Sequence, residues 1–119
     1  MGKKITVSYD VANDKLIMSD RGHTNAMKSE VIHWHPGDNV ESVKNVVKKS
    51  DSPISTEKFW KDAPHPNGKK FMGKINGDLV DGDAWDYDIT CNVGTKKDPI
   101  NKTKDPRIQV DSKVETSDN

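Results

Sequence analysis

From Trp85 to Val93 the chain alternates without a break. Trp85, Tyr87, Ile89, Cys91 and Val93 fall on one side, and Asp86, Asp88, Thr90 and Asn92 on the other. Successive side chains of a strand point to opposite faces, so this pattern is a half-buried β-strand and fits no helical stripe. A strand with one apolar face needs a sheet beside it and a second layer over it. Several other segments read as its partners. Ile5, Val7 and Tyr9 alternate with polar residues, and Leu16-Ile17-Met18 forms a short second strand. In Glu30 to His35, Ile32 and Trp34 point one way and Val31, His33 and His35 the other, until Pro36-Gly37-Asp38 ends the segment as a turn. Lys70 to Ile75 is a strand that closes on the tight turn Asn76-Gly77, and Arg107 to Val110 is the last.

The segment Asn39 to Lys49 fits two periods. Val40, Val43 and Val46 or Val47 suit a helical face, whereas Val43, Asn45 and Val47 suit a strand rich in β-branched residues, which is the reading adopted. Polar, glycine- and proline-rich stretches at Ser19 to Ala26, Ser50 to Pro53, Ala63 to Gly68 and Gly94 to Lys104 read as loops. Trp60, next to Phe59 and close to one of these loops, is the best candidate for an exposed aromatic; Trp34, Trp85 and Tyr87 belong to the core. The expected fold is all-β, a Greek-key β-sandwich of about seven strands. It takes residues 1–111 as one domain and leaves 112–119 as a flexible C-terminal tail. With 31% apolar and 32% charged residues, the chain can build one modest core.

The 19 basic residues are balanced by 19 acidic ones, so the basic excess of a nucleic-acid binder is missing and no nucleic-acid partner is expected. No run of even ten apolar residues occurs, which excludes a transmembrane helix and points to no membrane partner. The first residues lack the apolar run of a signal peptide; the protein is read as cytoplasmic, or as exported with its leader removed. Cys91 is the single cysteine, so no internal disulfide can form. No phosphate-binding glycine loop, Ser-His-Asp order or paired catalytic carboxylates stand out, so an enzyme is not expected.

The last third resembles the cupredoxins. Their penultimate strand has the form Tyr-x-Tyr-x-Cys and is followed by a loop and a final Ile-x-Val strand. Here the matching residues are Trp85-Asp-Tyr87-Asp-Ile89-Thr-Cys91 and then Ile108-Gln-Val110. The strand ending at Trp34 and the Asp105-Pro106-Arg107-Ile108 stretch are similar to segments of small bacterial proteins of cupredoxin-like fold. The resemblance implies a cysteine ligand followed within a few residues by a histidine and a methionine. This chain departs from that pattern: its last histidine is His65 and its last methionine Met72, both before Cys91. A trigonal blue-copper site, which needs two imidazoles and a thiolate, is therefore not expected.

Two functional readings follow. The first is a non-catalytic binding or interaction module without a cofactor, whose loops at one end of the sandwich grip a protein or a small ligand. The alternative is a metal-handling protein that binds Cu(II) or Zn(II). Its ligands would be His33 and His35, two apart on one strand face and about 7 Å from each other, with help from Cys91, His23, His65, Met18 or a carboxylate. Cys91 itself lies on an apolar face, where a free thiol behaves as a small hydrophobe. The acidic stretch Asp78, Asp81, Asp83, Asp86 and Asp88 has calcium-ligand chemistry but not the spacing of an EF-hand loop, and reads as a solvated turn.

Overall fold

In the computed structural model, which describes residues 2–94, 97–101 and 106–111, the alternating segment is strand β8 (Ala84–Asn92). Before it come β1 (Gly2–Asp10), β2 (Lys15–Met18), β3 (His23–Ala26), β4 (Val31–Pro36) and β5 (Ser42–Lys48). A four-residue helix α1 (Thr56–Phe59), β6 (Trp60–Asn67) and β7 (Lys70–Ile75) follow β5, and β9 (Arg107–Val110) follows β8. They form two sheets, one in the order β2-β1-β4-β7-β6 and the other in the order β3-β9-β8-β5. Both sheets are mixed: β1 runs parallel to β4 and β3 parallel to β9, while the remaining pairs are antiparallel.

The inward faces supply one core. Ile5, Val7, Tyr9, Leu16, Met18, Ile32, Trp34, Phe71 and Ile75 come from the first sheet, and Val43, Val46, Trp85, Tyr87, Ile89, Cys91, Ile108 and Val110 from the second. Its centre is aromatic. The Trp34 ring lies 5.6 Å from Tyr87 and 5.9 Å from Trp60, and Trp60 stands edge-on to Trp85 at 5.1 Å. These separations fall in the range in which aromatic pairs attract beyond simple burial. The buried Trp34 Nε1–H donates to the Tyr87 hydroxyl at 3.1 Å, joining β4 of one sheet to β8 of the other.

Four expectations change. There are nine strands among the described residues rather than about seven, because two stretches read as loops are strands. Within Ser19 to Ala26, β3 forms because β9 offers it a parallel edge, and Thr24 and Ala26 turn inward. Ala63 to Gly68 lies mostly in β6, whose Pro64 and Pro66 are tolerated because β6 is the edge of its sheet. Trp60 is 3% exposed, not a surface aromatic, because its ring packs over Gly73 and against Trp34 and Trp85.

The double period of Asn39 to Lys49 also has a physical cause. Segment β5 is a strand with a bulge between Val43 and Asn45, which pair with Cys91 and Thr90. The extra residue lets Val43 and Val46 both face the core, and that three-residue spacing imitates a helix. The tail 112–119 and part of the Gly94 to Lys104 loop lie outside the described residues.

Replacing Tyr87 by Phe leaves the buried Trp34 N–H without its acceptor. The expected cost is about 1–3 kcal/mol, read as a lower urea midpoint with an unchanged denaturant slope. An unchanged midpoint would show that the hydrogen bond contributes nothing net.

Candidate functional site

Where β2 leaves the first sheet for β3 in the second, the chain turns sharply. Arg21 and Gly22 adopt left-handed backbone angles, φ 60° and 86°. Such angles suit glycine and strain arginine. The Asp20 side chain holds the turn: its carboxylate accepts from Gly22 N at 2.8 Å and from the Thr24 hydroxyl at 2.5 Å, while its carbonyl accepts from His23 N. Arg107 N then donates to Gly22 O at 2.8 Å, tying the turn to the start of β9.

A second turn meets it from the far edge of the same sheet. After β5, Lys49 N donates to Asp86 O at 2.9 Å, and Ser52 N donates back to Lys49 O. The Ser52 hydroxyl accepts from Asp86 N and donates to Ile54 O. Between the two turns lies a pocket of about 500 Å³, lined by Arg21, Gly22, His23, Lys49, Asp51, Asp86 and Arg107. Arg107 grips Asp86 through both ends of its guanidinium, Nε to Oδ1 at 2.6 Å and Nη2 to Oδ2 at 3.0 Å. This forked pair, the strong form of a charge-assisted bond, makes a rigid floor. Lys49 reaches Asp88 at 3.2 Å, and Arg21 and Asp51 stand exposed at the rim. Three cations and two carboxylates line the pocket, and Lys49 and Arg107 are paired with Asp88 and Asp86. Two of the expected binding loops, Ser19 to Ala26 and Ser50 to Pro53, converge here; Ala63 to Gly68 does not line it. Arg107 and Asp86 had no sequence signal, because only the β8–β9 register sets them opposite each other.

The expected metal ligands part company. Trp34 points into the core, so His33 and His35 on either side of it project from the outer face of the first sheet, with ring centres 6.0 Å apart. Cys91 lies on the inner face of β8 with Tyr87 and Ile89, fully buried. The sheet that carries the histidines stands between them and the thiol. Burial pushes the Cys91 thiol up to about 12, which keeps it protonated and unfit for metal ligation or attack. His23 belongs to the second sheet, and Met18 is buried.

The residue the sequence reading passed over is Met72. It stands opposite His33 in the β4–β7 register and opposite His65 in the β6–β7 register. Directly opposed residues share a face, so imidazole, thioether and imidazole line up across three adjacent strands. The Met72 sulfur accepts from Asn67 Nδ2 at 3.4 Å. His65 Nδ1 is 2.9 Å from Ala63 O; a carbonyl only accepts, so Nδ1 is the donor. Among the described residues no three His, Cys, Asp or Glu side chains form a metal-binding group. The acidic stretch is spread out accordingly: Asp83 caps Val80 N within its own turn, while Asp86 and Asp88 serve Arg107 and Lys49. Among the described residues no helix is long and apolar enough to cross a membrane.

No protein-family model matches this chain, and no curated protein matches it.

Two measurements check this geometry. Alkylation of Cys91 at pH 8 is expected to be at least about a hundredfold slower in the native protein than in urea, since burial leaves almost no thiolate to react; equal rates would place the thiol at the surface. His35 is expected to titrate below the ordinary imidazole value of about 6.5. Burial lowers it first, and Lys70, Lys4 and His33 add to the effect. The unfolded chain takes this proton at higher pH than the folded one. The stability tied to neutral His35 is thus intact above the unfolded value and lost as pH falls through the folded one. In an NMR titration added salt should raise the His35 midpoint part of the way back, by screening the lysines.

Proposed function

We propose that the chain is a non-catalytic binding domain on a cupredoxin-like Greek-key sandwich without a type 1 copper site. It takes a small ligand bearing a carboxylate or phosphate in the pocket between Arg21, Lys49 and Arg107. The fold reading is supported by the strand order, in which the chain changes sheets repeatedly, and by the pairing of β8, which carries Tyr87 and Cys91, with the final Ile108-Gln109-Val110 strand. The copper-free reading is supported by the chain after Cys91, which holds neither histidine nor methionine.

The observation that carries the binding reading is the convergence of two separately anchored turns on one mixed-charge pocket. Asp20 fixes the first turn and Ser52 the second, so little ordering is left for a ligand to impose. The Arg107–Asp86 fork holds the floor charge in place, and Arg21 and Lys49 offer donors to an anion. Asp51 faces them and accepts from any amino or hydroxyl group on the same ligand. The single thiol is buried and protonated, which suits a binding role better than a chemical one.

Inorganic phosphate and acetate serve as probes. Backbone amide shifts are expected to saturate at residues 20–24, 49–52, 86 and 107, and Arg21→Gln should weaken the response at least about fivefold, the loss of one charge-assisted contact. Shifts that spread evenly without saturating, or an unchanged response in Arg21→Gln, would count against the pocket. Substrate turnover abolished by that substitution would overturn the non-catalytic reading.

A further inference from the structure

We propose that the outer face of the five-stranded sheet binds a single Cu(I) ion through His33, His35 and the thioether of Met72. The site lies on β4 and β7, away from the mixed-charge pocket, and stands independently of it.

The spacing of the two imidazoles brings them within reach of one ion. With a metal–nitrogen bond of roughly 2.0 Å, two histidines on one ion put their ring centres roughly 5 to 6.5 Å apart, the wider values belonging to open two- and three-coordinate arrangements. His33 and His35 stand at 6.0 Å. Among the described residues no His, Cys, Asp or Glu side chain joins the two histidines as a third ligand. Met72 fills that place. It is directly opposite His33, and Cβ atoms of opposed residues on paired strands lie about 5 Å apart. Its neighbours Phe71 and Gly73 are buried, so the half-buried Met72 side chain is on the histidines' face.

The charge around the site chooses the ion. Lys4 stands beside His33 on β1, and Lys70 beside His35 on β7, while Thr6 is the neutral neighbour of His35. No carboxylate is paired with either histidine in the β1–β4 or β4–β7 register. Two nearby ammonium groups repel a divalent ion twice as strongly as a monovalent one. Neutral imidazole and thioether ligands are the set that a soft monovalent ion prefers, whereas Zn(II) and Cu(II) gain more from anionic oxygen or sulfur. The His33 ring lies over Gly2 and the Met72 sulfur leans towards Asn67. Closing the site needs only rotamer changes in half-exposed side chains, which are fast and cheap.

Untagged full-length protein, kept under reducing and anaerobic conditions, competes with bicinchoninate for Cu(I). One ion per chain is expected. His33→Ala with His35→Ala should abolish binding, and Met72→Leu should weaken it at least about tenfold, since loss even of an outer-shell partner of a metal ligand costs that much. X-ray absorption at the copper edge should show one sulfur and two nitrogen neighbours, and the sulfur should vanish in Met72→Leu. Cys91→Ala should leave both readouts unchanged. Thermal melts of the apo variants near the parent value establish that each is folded. The proposal is overturned by an affinity unchanged in Met72→Leu, by loss of the ion in Cys91→Ala, by Zn(II) binding more tightly than Cu(I), or by no stoichiometric Cu(I) at all.

Discussion

The two sheets are held in one relation by the contact of Trp34 with Tyr87. An aromatic pair brings a large apolar area to one place, and the indole-to-hydroxyl hydrogen bond fixes how the rings meet. Trp60 and Trp85 extend the contact, and Phe59 closes it against both, at 5.2 and 6.1 Å. A chain with so few apolar residues has little else of this size to bury. Register in β4 and β8 therefore follows from these rings: a slip of one residue would carry Trp34 or Tyr87 to solvent and turn every neighbour with it.

The outer surfaces follow from the same alternation. Trp34 turned inward means His33 and His35 turned outward; Phe71 inward means Met72 outward. On the second sheet, Trp85 and Tyr87 inward send Asp86 and Asp88 outward, where Arg107 and Lys49 meet them. The two surfaces differ in chemistry. The first sheet presents imidazole, thioether and lysine; the second carries carboxylates, and its pocket is anchored by one of them.

Much of the fold was legible in the sequence where one segment carried its own signal. The strands β1, β2, β4, β7, β8 and β9 each show an alternating or short apolar pattern bounded by turns. The misread or ambiguous segments are those where a partner decided the outcome, and of these β5 was read correctly as a strand despite its double period. β3 has only Thr24 and Ala26 to bury and depends on β9; β6 holds two prolines and survives at an edge; β5 has a bulge that changes its period. Of the expected site, His33 and His35 were legible as a pair because residues two apart share a strand face. Cys91 was set at the family's cysteine position, and its burial among Tyr87, Ile89 and Val93 was also readable from the alternation. The separation of thiol from imidazoles was not, since it depends on which sheet each strand joins.

The sequence by itself determined which side of each strand is apolar, that one modest core could form, and that neither a histidine nor a methionine follows Cys91. Those properties are local, written in periods of two and in residue identity. The tertiary structure decided which strands are neighbours. That choice sets Met72 between His33 and His65, and Arg107 against Asp86, across gaps of between 7 and 39 residues in the chain. No local pattern encodes such neighbours, because strand order is set by the burial of the whole core and not by any one strand.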